Sequence, residues 1–216
     1  MAKKSPENAR EKLLEAGTEL FRRRGYVATS VDEICHAAGV TKGAFFHHFE
    51  SKEMLAESCL CAWERRIVAI HETAPFQALT DPREKLLACI DFFIGVFSNP
   101  DMCKSCLAGT TAQEVSETHP VLREAAQTCF ASGEGEFQKL LDAACDDARI
   151  KLDTVSLAQL WMATLQGSIL LSKAARDESL IGANLRHFRQ YVESLVSAPG
   201  DIRPPSLPRS PRKGKQ

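Results

Sequence analysis

The stretch from Ser30 to Phe49, S-V-D-E-I-C-H-A-A-G-V-T-K-G-A-F-F-H-H-F, leaves this chain little choice of local structure. Val31, Ile34, Cys35 and Ala38 recur at the i, i+3, i+4, i+7 spacing of one helix face, and Ser30 stands where a capping hydroxyl belongs. Gly39 follows, a residue that turns the chain at positive φ without steric cost. Thr41 is placed to cap a second helix with Phe45 and Phe49 on one side. Two short helices joined this tightly, with a glycine between them, predict a helix-turn-helix. In that motif the second helix enters the major groove of DNA with its N-terminal residues nearest the base edges.

The start of that second helix presents unpaired N–H groups and partial positive charge, which suits Thr41, Lys42 and Gly43 to phosphate or base-edge contact. Gly43 and Ala44 are small enough to let the backbone approach the groove, and Lys42 reaches guanine acceptors or a phosphate. Phe45 and Phe49 pack inward. Thr29 and Ser30 offer hydroxyls at the start of the first short helix, with capping as the alternative role. Arg22, Arg23 and Arg24 either complement the negative end of the preceding helix or lie along a phosphate backbone, and both readings stay open.

The run G-V-T-K-G-A-F-F-H-H-F-E-S-K-E-M-L, residues 39–55, resembles the signature of the TetR/AcrR family of bacterial transcriptional repressors. The upstream R-E-K-L-L-E-A-G-T-E-L-F-R-R-R-G-Y, residues 10–26, is similar to the family's first helix. The resemblance is dense over residues 10–60 and thin beyond. It implies an all-α homodimer of about nine helices, with a three-helix DNA-binding head and a larger helical body for ligand binding and dimerisation. It also implies phosphate contacts for His47 and Lys52. Phe46 stands where relatives usually carry a tyrosine, and it lacks the hydroxyl that would reach a phosphate.

Charge distribution agrees with this division. Residues 1–52 carry nine Lys/Arg against seven Asp/Glu, residues 53–199 thirteen against twenty, and the tail five against one. A head more positive than its body suits a phosphate-facing surface. The expected partition is a DNA-binding domain over 1–52, a ligand-binding and dimerisation domain over 53–198, and a disordered, basic, Pro-rich tail over 199–216. No apolar run near the ~20 residues of a membrane span is expected, and the N-terminus lacks the apolar core of a signal peptide. A cytoplasmic protein follows, and its eight cysteines are expected as thiols.

Helices of the body are expected over about 85–98, 104–117, from Pro120 through Leu141, 154–176 and 180–197. The last two show Leu157, Leu160, Trp161, Thr164, Leu165 and Ser168, then Leu185, Phe188, Val192 and Leu195. Such stripes either pair with their copies in a four-helix dimer interface or cover the core of one subunit; the family resemblance favours the first. Phe92, Phe93, Phe97 and Trp161, with Gln113, Glu114 and His119, form a candidate lining for an apolar effector pocket with polar anchors.

The segment S-C-L-A-G-T-T-A-Q-E-V, residues 105–115, is similar to a branch of the family that includes N-ethylmaleimide-responsive, electrophile-sensing repressors. That similarity makes Cys106 a candidate sensor, and a position in the first turn of a helix beside Lys104 would favour its thiolate. No hydrolase elbow, phosphate-binding loop or metalloprotease motif occurs, so no catalytic residue, metal or cofactor is expected. The resulting expectation is a repressor that binds a palindromic operator as a homodimer. A small molecule or cysteine modification in the body would release it. The alternative is a cytosolic thiol or redox protein using Cys103 and Cys106.

Overall fold

The computed structural model describes residues 6–99 and 105–197. Among them are nine α-helices, one 3-10 turn and no strand, in the order α1 (Pro6–Arg24), α2 (Val31–Ala38), α3 (Lys42–His48), α4 (Lys52–Glu72), the turn Pro75–Ala78, α5 (Pro82–Phe97), α6 (Leu107–Val115), α7 (Pro120–Ala148), α8 (Thr154–Ala175) and α9 (Ser179–Val196). The all-helical expectation holds. Cys103 and the Pro-rich tail lie outside the described residues.

Local chemistry places most of these boundaries. Ser30 and Glu33 form a reciprocal capping box at the start of α2, and Gly39 closes that helix at φ 63°. Thr41, Ser51, Asp81 and Asp153 each accept a hydrogen bond from a backbone N–H three residues on, fixing the starts of α3, α4, α5 and α8. Cys106 and His119, which precede α6 and α7, make no such side-chain bond. Those two helices owe their starts to packing and, for α7, to Pro120 in its first turn.

Two apolar cores organise the helices. The first joins Leu13 and Phe21 of α1, Ile34 of α2, Phe45 of α3 and Leu55 and Leu60 of α4. It does not stop at residue 52, since Leu107, Val115, Leu122 and Ala126 of α6 and α7 belong to it. The second is built from α5, α7, α8 and α9 around Trp161. That indole stacks on Phe137 at 4.9 Å between ring centres and meets Phe188 at 5.5 Å and Phe93 at 5.9 Å. Ring pairs at such separations add to the area they bury.

The expected dimer stripe is corrected by this packing. Leu157, Trp161, Leu165, Ser168, Leu185, Phe188 and Val192 are buried in their own subunit's core. Only Leu160, half-exposed Thr164 and half-exposed Leu195 of that set reach the outside. The reason is geometric: at 3.6 residues per turn an adjacent stripe faces outward, and on α8 it carries Leu160, Leu170 and Leu171. Tyr191 of α9 is exposed as well. Against expectation, α8 is by length and composition long and apolar enough to cross a bilayer. Its Thr, Ser and Gln residues interrupt the apolar run without adding charge.

Candidate nucleic-acid interface and effector cavity

Helix α3 is held from behind. Phe45 is fully buried and Phe49 nearly so, their rings 6.0 Å apart, and Arg10 lies 5.4 Å over the Phe49 ring. A seven-residue helix is too short to persist alone, so this anchoring sets its orientation. Its other side is open: Thr41, Lys42, Gly43, Phe46 and His47 are exposed and Ala44 is half-buried. The Thr41 hydroxyl accepts from Ala44 N–H at 3.2 Å, and Lys42 Nζ lies 2.9 Å from the Asp32 carboxylate. That ion pair is exposed, and a phosphate in range would compete with it. Five expected DNA-facing residues therefore share one outer surface at the start and side of α3.

Three other expected residues do not join it freely. Thr29 is buried, with its hydroxyl donating to Gly25 O at 2.7 Å, so it holds the turn before α2 together. Ser30 is exposed, yet its hydroxyl accepts from Glu33 N–H at 3.2 Å and meets the Glu33 carboxylate at 2.9 Å. Lys52 Nζ donates to Tyr26 O at 2.8 Å and Thr29 O at 2.9 Å and lies 4.2 Å over the Tyr26 ring. Two of its three protons are thus committed, and burial lowers its pKa while Glu114 opposes the shift. Of the arginine trio, Arg23 pairs with Glu19 at 2.9 Å and Arg24 with Glu33 at 2.7 Å.

Arg22 turns the other way, into a joint between head and body. Its Nε and Nη2 donate to Ser105 O at 3.1 and 3.0 Å, and Ser105 Oγ returns a bond to Arg22 O at 2.8 Å. Its guanidinium lies 4.6 Å over the Trp63 ring. Near the other end of α6, the Glu114 carboxylate accepts from Tyr26 N–H at 2.5 Å and Val27 N–H at 3.1 Å. His119 meets the Tyr26 ring edge-on at 5.0 Å. Gly25 adopts φ 88°, and a side chain there would collide with Glu114.

Glu114 and His119, expected in a pocket lining, thus belong to the joint. Gln113 lies beside them, in a polar cleft of about 280 Å³ that Arg23, Arg24, Cys106 and Lys173 also line. The sequence offered the three only as polar anchors for an apolar pocket. The actual direction of each side chain depends on how α6 docks on α1, which local sequence does not carry.

The body does contain a mainly apolar cavity of about 80 Å³. Phe93, Phe97, Trp161 and Cys106 are on its wall as expected. Phe92 is not; it is half-buried and packs edge-on against Phe76 at 5.6 Å. Several wall residues escaped sequence reasoning, among them Trp63, His71, Phe130 and Glu136, because they sit on α4 and α7 with no local motif to mark them. Cys106, expected within the first turn of a helix, instead stands half-buried immediately before α6, where it lines both this cavity and the polar cleft. Burial pushes the thiols of Cys59 and Cys129 up to about 12 and raises those of Cys35, Cys89 and Cys145, so none of these is a ready nucleophile. No group of metal-binding side chains occurs among the described residues.

An anchored recognition helix on a small head, clasped to a helical body that encloses an apolar cavity, defines a helix-turn-helix transcriptional regulator. The model for bacterial regulatory proteins of the tetR family matches residues 13–59, and that for the tetracyclin repressor-like C-terminal domain matches residues 82–188. The HTH-type transcriptional repressor DhaR of Mycobacterium sp. (strain GP1) is 30% identical over 170 residues, covering 78% of this chain and 84% of that one. The chain belongs to the TetR family. The HTH-type transcriptional regulator LmrA of Bacillus subtilis (strain 168) is 28% identical over 200 residues, 88% of this chain and 97% of its own. The fold is shared with the crystal structure of the reduced form of E. coli NemR, at a TM-score of 0.73 and 23% identity over 89% of this chain and 98% of that one.

Proposed function

We propose that the protein is a homodimeric repressor in the cytoplasm that binds a palindromic operator through α3 and is released by an effector in the body cavity. The carrying observation is the α3 surface. Thr41, Lys42, Gly43, Phe46 and His47 are exposed together at a helix whose opposite face is locked by Phe45. Two copies of such a helix read two half-sites only at a separation near whole turns of DNA, ~34 Å or a multiple.

Release follows if the effector favours a state of the body in which that separation is wrong. The joint supplies a route. Cys106 lies on the cavity wall, Ser105 next to it holds Arg22, and Glu114 on the same helix holds Tyr26 and Val27. A shift of α6 is therefore passed to the C-terminal end of α1 and the turn before α2. Cysteine modification is a second route to the same shift, favoured by the position of Cys106 between cavity and cleft.

A gel-shift with the DNA flanking its own gene tests the reading. Lys42→Ala is expected to weaken operator binding and to reduce the slope of log K against log salt by about 1.8, since one phosphate contact is removed at each of the two half-sites. Unchanged affinity and slope would place the recognition surface elsewhere. Repeating release with an electrophile on a Cys106→Ser variant separates the two routes; identical release by both proteins removes the thiol.

A further inference from the structure

We infer that Asp32 is a specificity-determining residue of the operator contact: held by Lys42, its carboxylate accepts a hydrogen bond from the exocyclic amine of a cytosine, once in each half-site. The inference rests on the reading of α3 as the recognition helix and names one base pair of the DNA it reads.

Asp32 is the second residue of α2, and Lys42 is the first of α3. The Asp32 carboxylate lies 2.9 Å from Lys42 Nζ, and both side chains are more than half exposed. The pair therefore brings a negative charge to the end of the recognition helix that stands nearest the bases. The neighbouring acid has a different task. Glu33 accepts from Ser30 N–H at 2.9 Å and from Arg24 at 2.7 Å, so both of its oxygens are used inside the head. Asp32 gives one oxygen to Lys42, and the other has no hydrogen-bond partner among the described residues. Helix α2 does not need Asp32 as its cap, which Ser30 supplies. Beside Lys42, the fold does not require a glycine at Gly43: a side chain there would meet nothing closer than the Thr41 hydroxyl at 3.8 Å. The corner is thus clear for a partner outside the chain.

A carboxylate brought against DNA costs affinity unless a donor meets it. The major groove offers two such donors, the adenine N6 and cytosine N4 amines. Adenine sets its own N7 acceptor beside the amine, which repels a carboxylate. Cytosine has no acceptor of its own there, and acidic side chains pair with it. Lys42 fixes the carboxylate without being used up by it. An ammonium carries three protons, so one stays on Asp32 while another goes to a phosphate. Thymine in place of the cytosine would turn its O4 acceptor toward Asp32 and be rejected.

The test is a set of operators selected by the full-length protein from a random duplex library, then rebuilt with each base pair replaced in both half-sites and compared by gel-shift. Wild type is expected to show one C·G pair per half-site whose replacement by T·A weakens binding about tenfold for each half-site, about a hundredfold for both. In Asp32→Ala that penalty is expected to vanish while those at other positions stay, and affinity for unrelated DNA is expected to rise because a negative charge has left the surface. Asp32→Asn, whose amide serves adenine N6 and N7 together, is expected to accept A·T at the same position. Identical base preferences in wild type and both variants would overturn the inference. So would a lowered thermal midpoint with preferences unchanged, which would reduce Asp32 to a favourable charge at the start of α2. A wild-type operator in which no half-site position prefers C·G overturns it without any variant. Failure to enrich any sequence would instead bring down the reading of α3 as the recognition helix.

Discussion

Glu114 holds two consecutive backbone N–H groups of the head, and no other described side chain bonds to them. A carboxylate accepting two such bonds acts at the start of an irregular turn, where Tyr26 and Val27 have no helical partner for their amides. Glu114→Ala is expected to lower stability by about 1–3 kcal/mol. Hydrogen exchange at the Tyr26 and Val27 amides should quicken before the rest of the head responds, whereas uniform exchange would mean that the clasp contributes nothing local. His71 supplies a prediction in pH. Its folded pKa is depressed by burial, so the unfolded chain takes up the proton first as pH falls. The stability that the neutral ring contributes is whole above its ordinary value of 6.5 and is lost as pH drops from there toward the folded value. The thermal midpoint of wild type should therefore fall more between about pH 7 and about pH 5 than that of His71→Phe. Glu136, Lys139, Glu72 and Lys85 face the ring in both proteins, so the difference between the two curves isolates it.

At the scale of elements, the helices divide by how they are ended. Helices α2, α3, α4, α5 and α8 begin at side-chain caps spelled out by Ser30, Thr41, Ser51, Asp81 and Asp153. Helices α7 and α8 end without glycine: Arg149 at φ 55° and Arg176 at φ 53° take the left-handed conformation themselves. An L-residue with a Cβ is strained there by about 1–2 kcal/mol. Arg149→Gly is expected to raise stability by up to about 1 kcal/mol, read as a higher midpoint of chemical denaturation, because the C-cap geometry is one glycine adopts freely. A lower midpoint would show that the arginine side chain stabilises more than the strain it imposes. The start of α6 lay three residues later than the expected one, at Leu107 rather than Lys104. Cys106 carries no capping oxygen, so nothing local marked that boundary.

For the whole molecule, an uncovered apolar strip on α8 and α9 is the outstanding feature. Leu160, Leu170, Leu171 and Tyr191 stay exposed in the single chain, and such a strip on a helix pair suits packing against its own copy. Leu160→Glu is expected to give a folded monomer by analytical ultracentrifugation, with operator affinity lost because half-sites are then bound singly. A dimer unchanged by Leu160→Glu would move the interface to another face.

Sequence alone determined the helical class, the head and most helix starts, because caps, glycine turns and 3.6-residue periodicity are interactions between neighbours along the chain. It also marked the exposed α3 residues, since a seven-residue helix with Phe45 and Phe49 on one side must present the other. Tertiary structure decided which of two adjacent stripes on α8 and α9 is core. It sent Arg22, Glu114 and His119 to the joint, and it placed His71 on the cavity wall beside Trp161. Those outcomes depend on how helices distant in sequence dock on one another. The docking is set by the summed fit of many apolar side chains, which no single motif records.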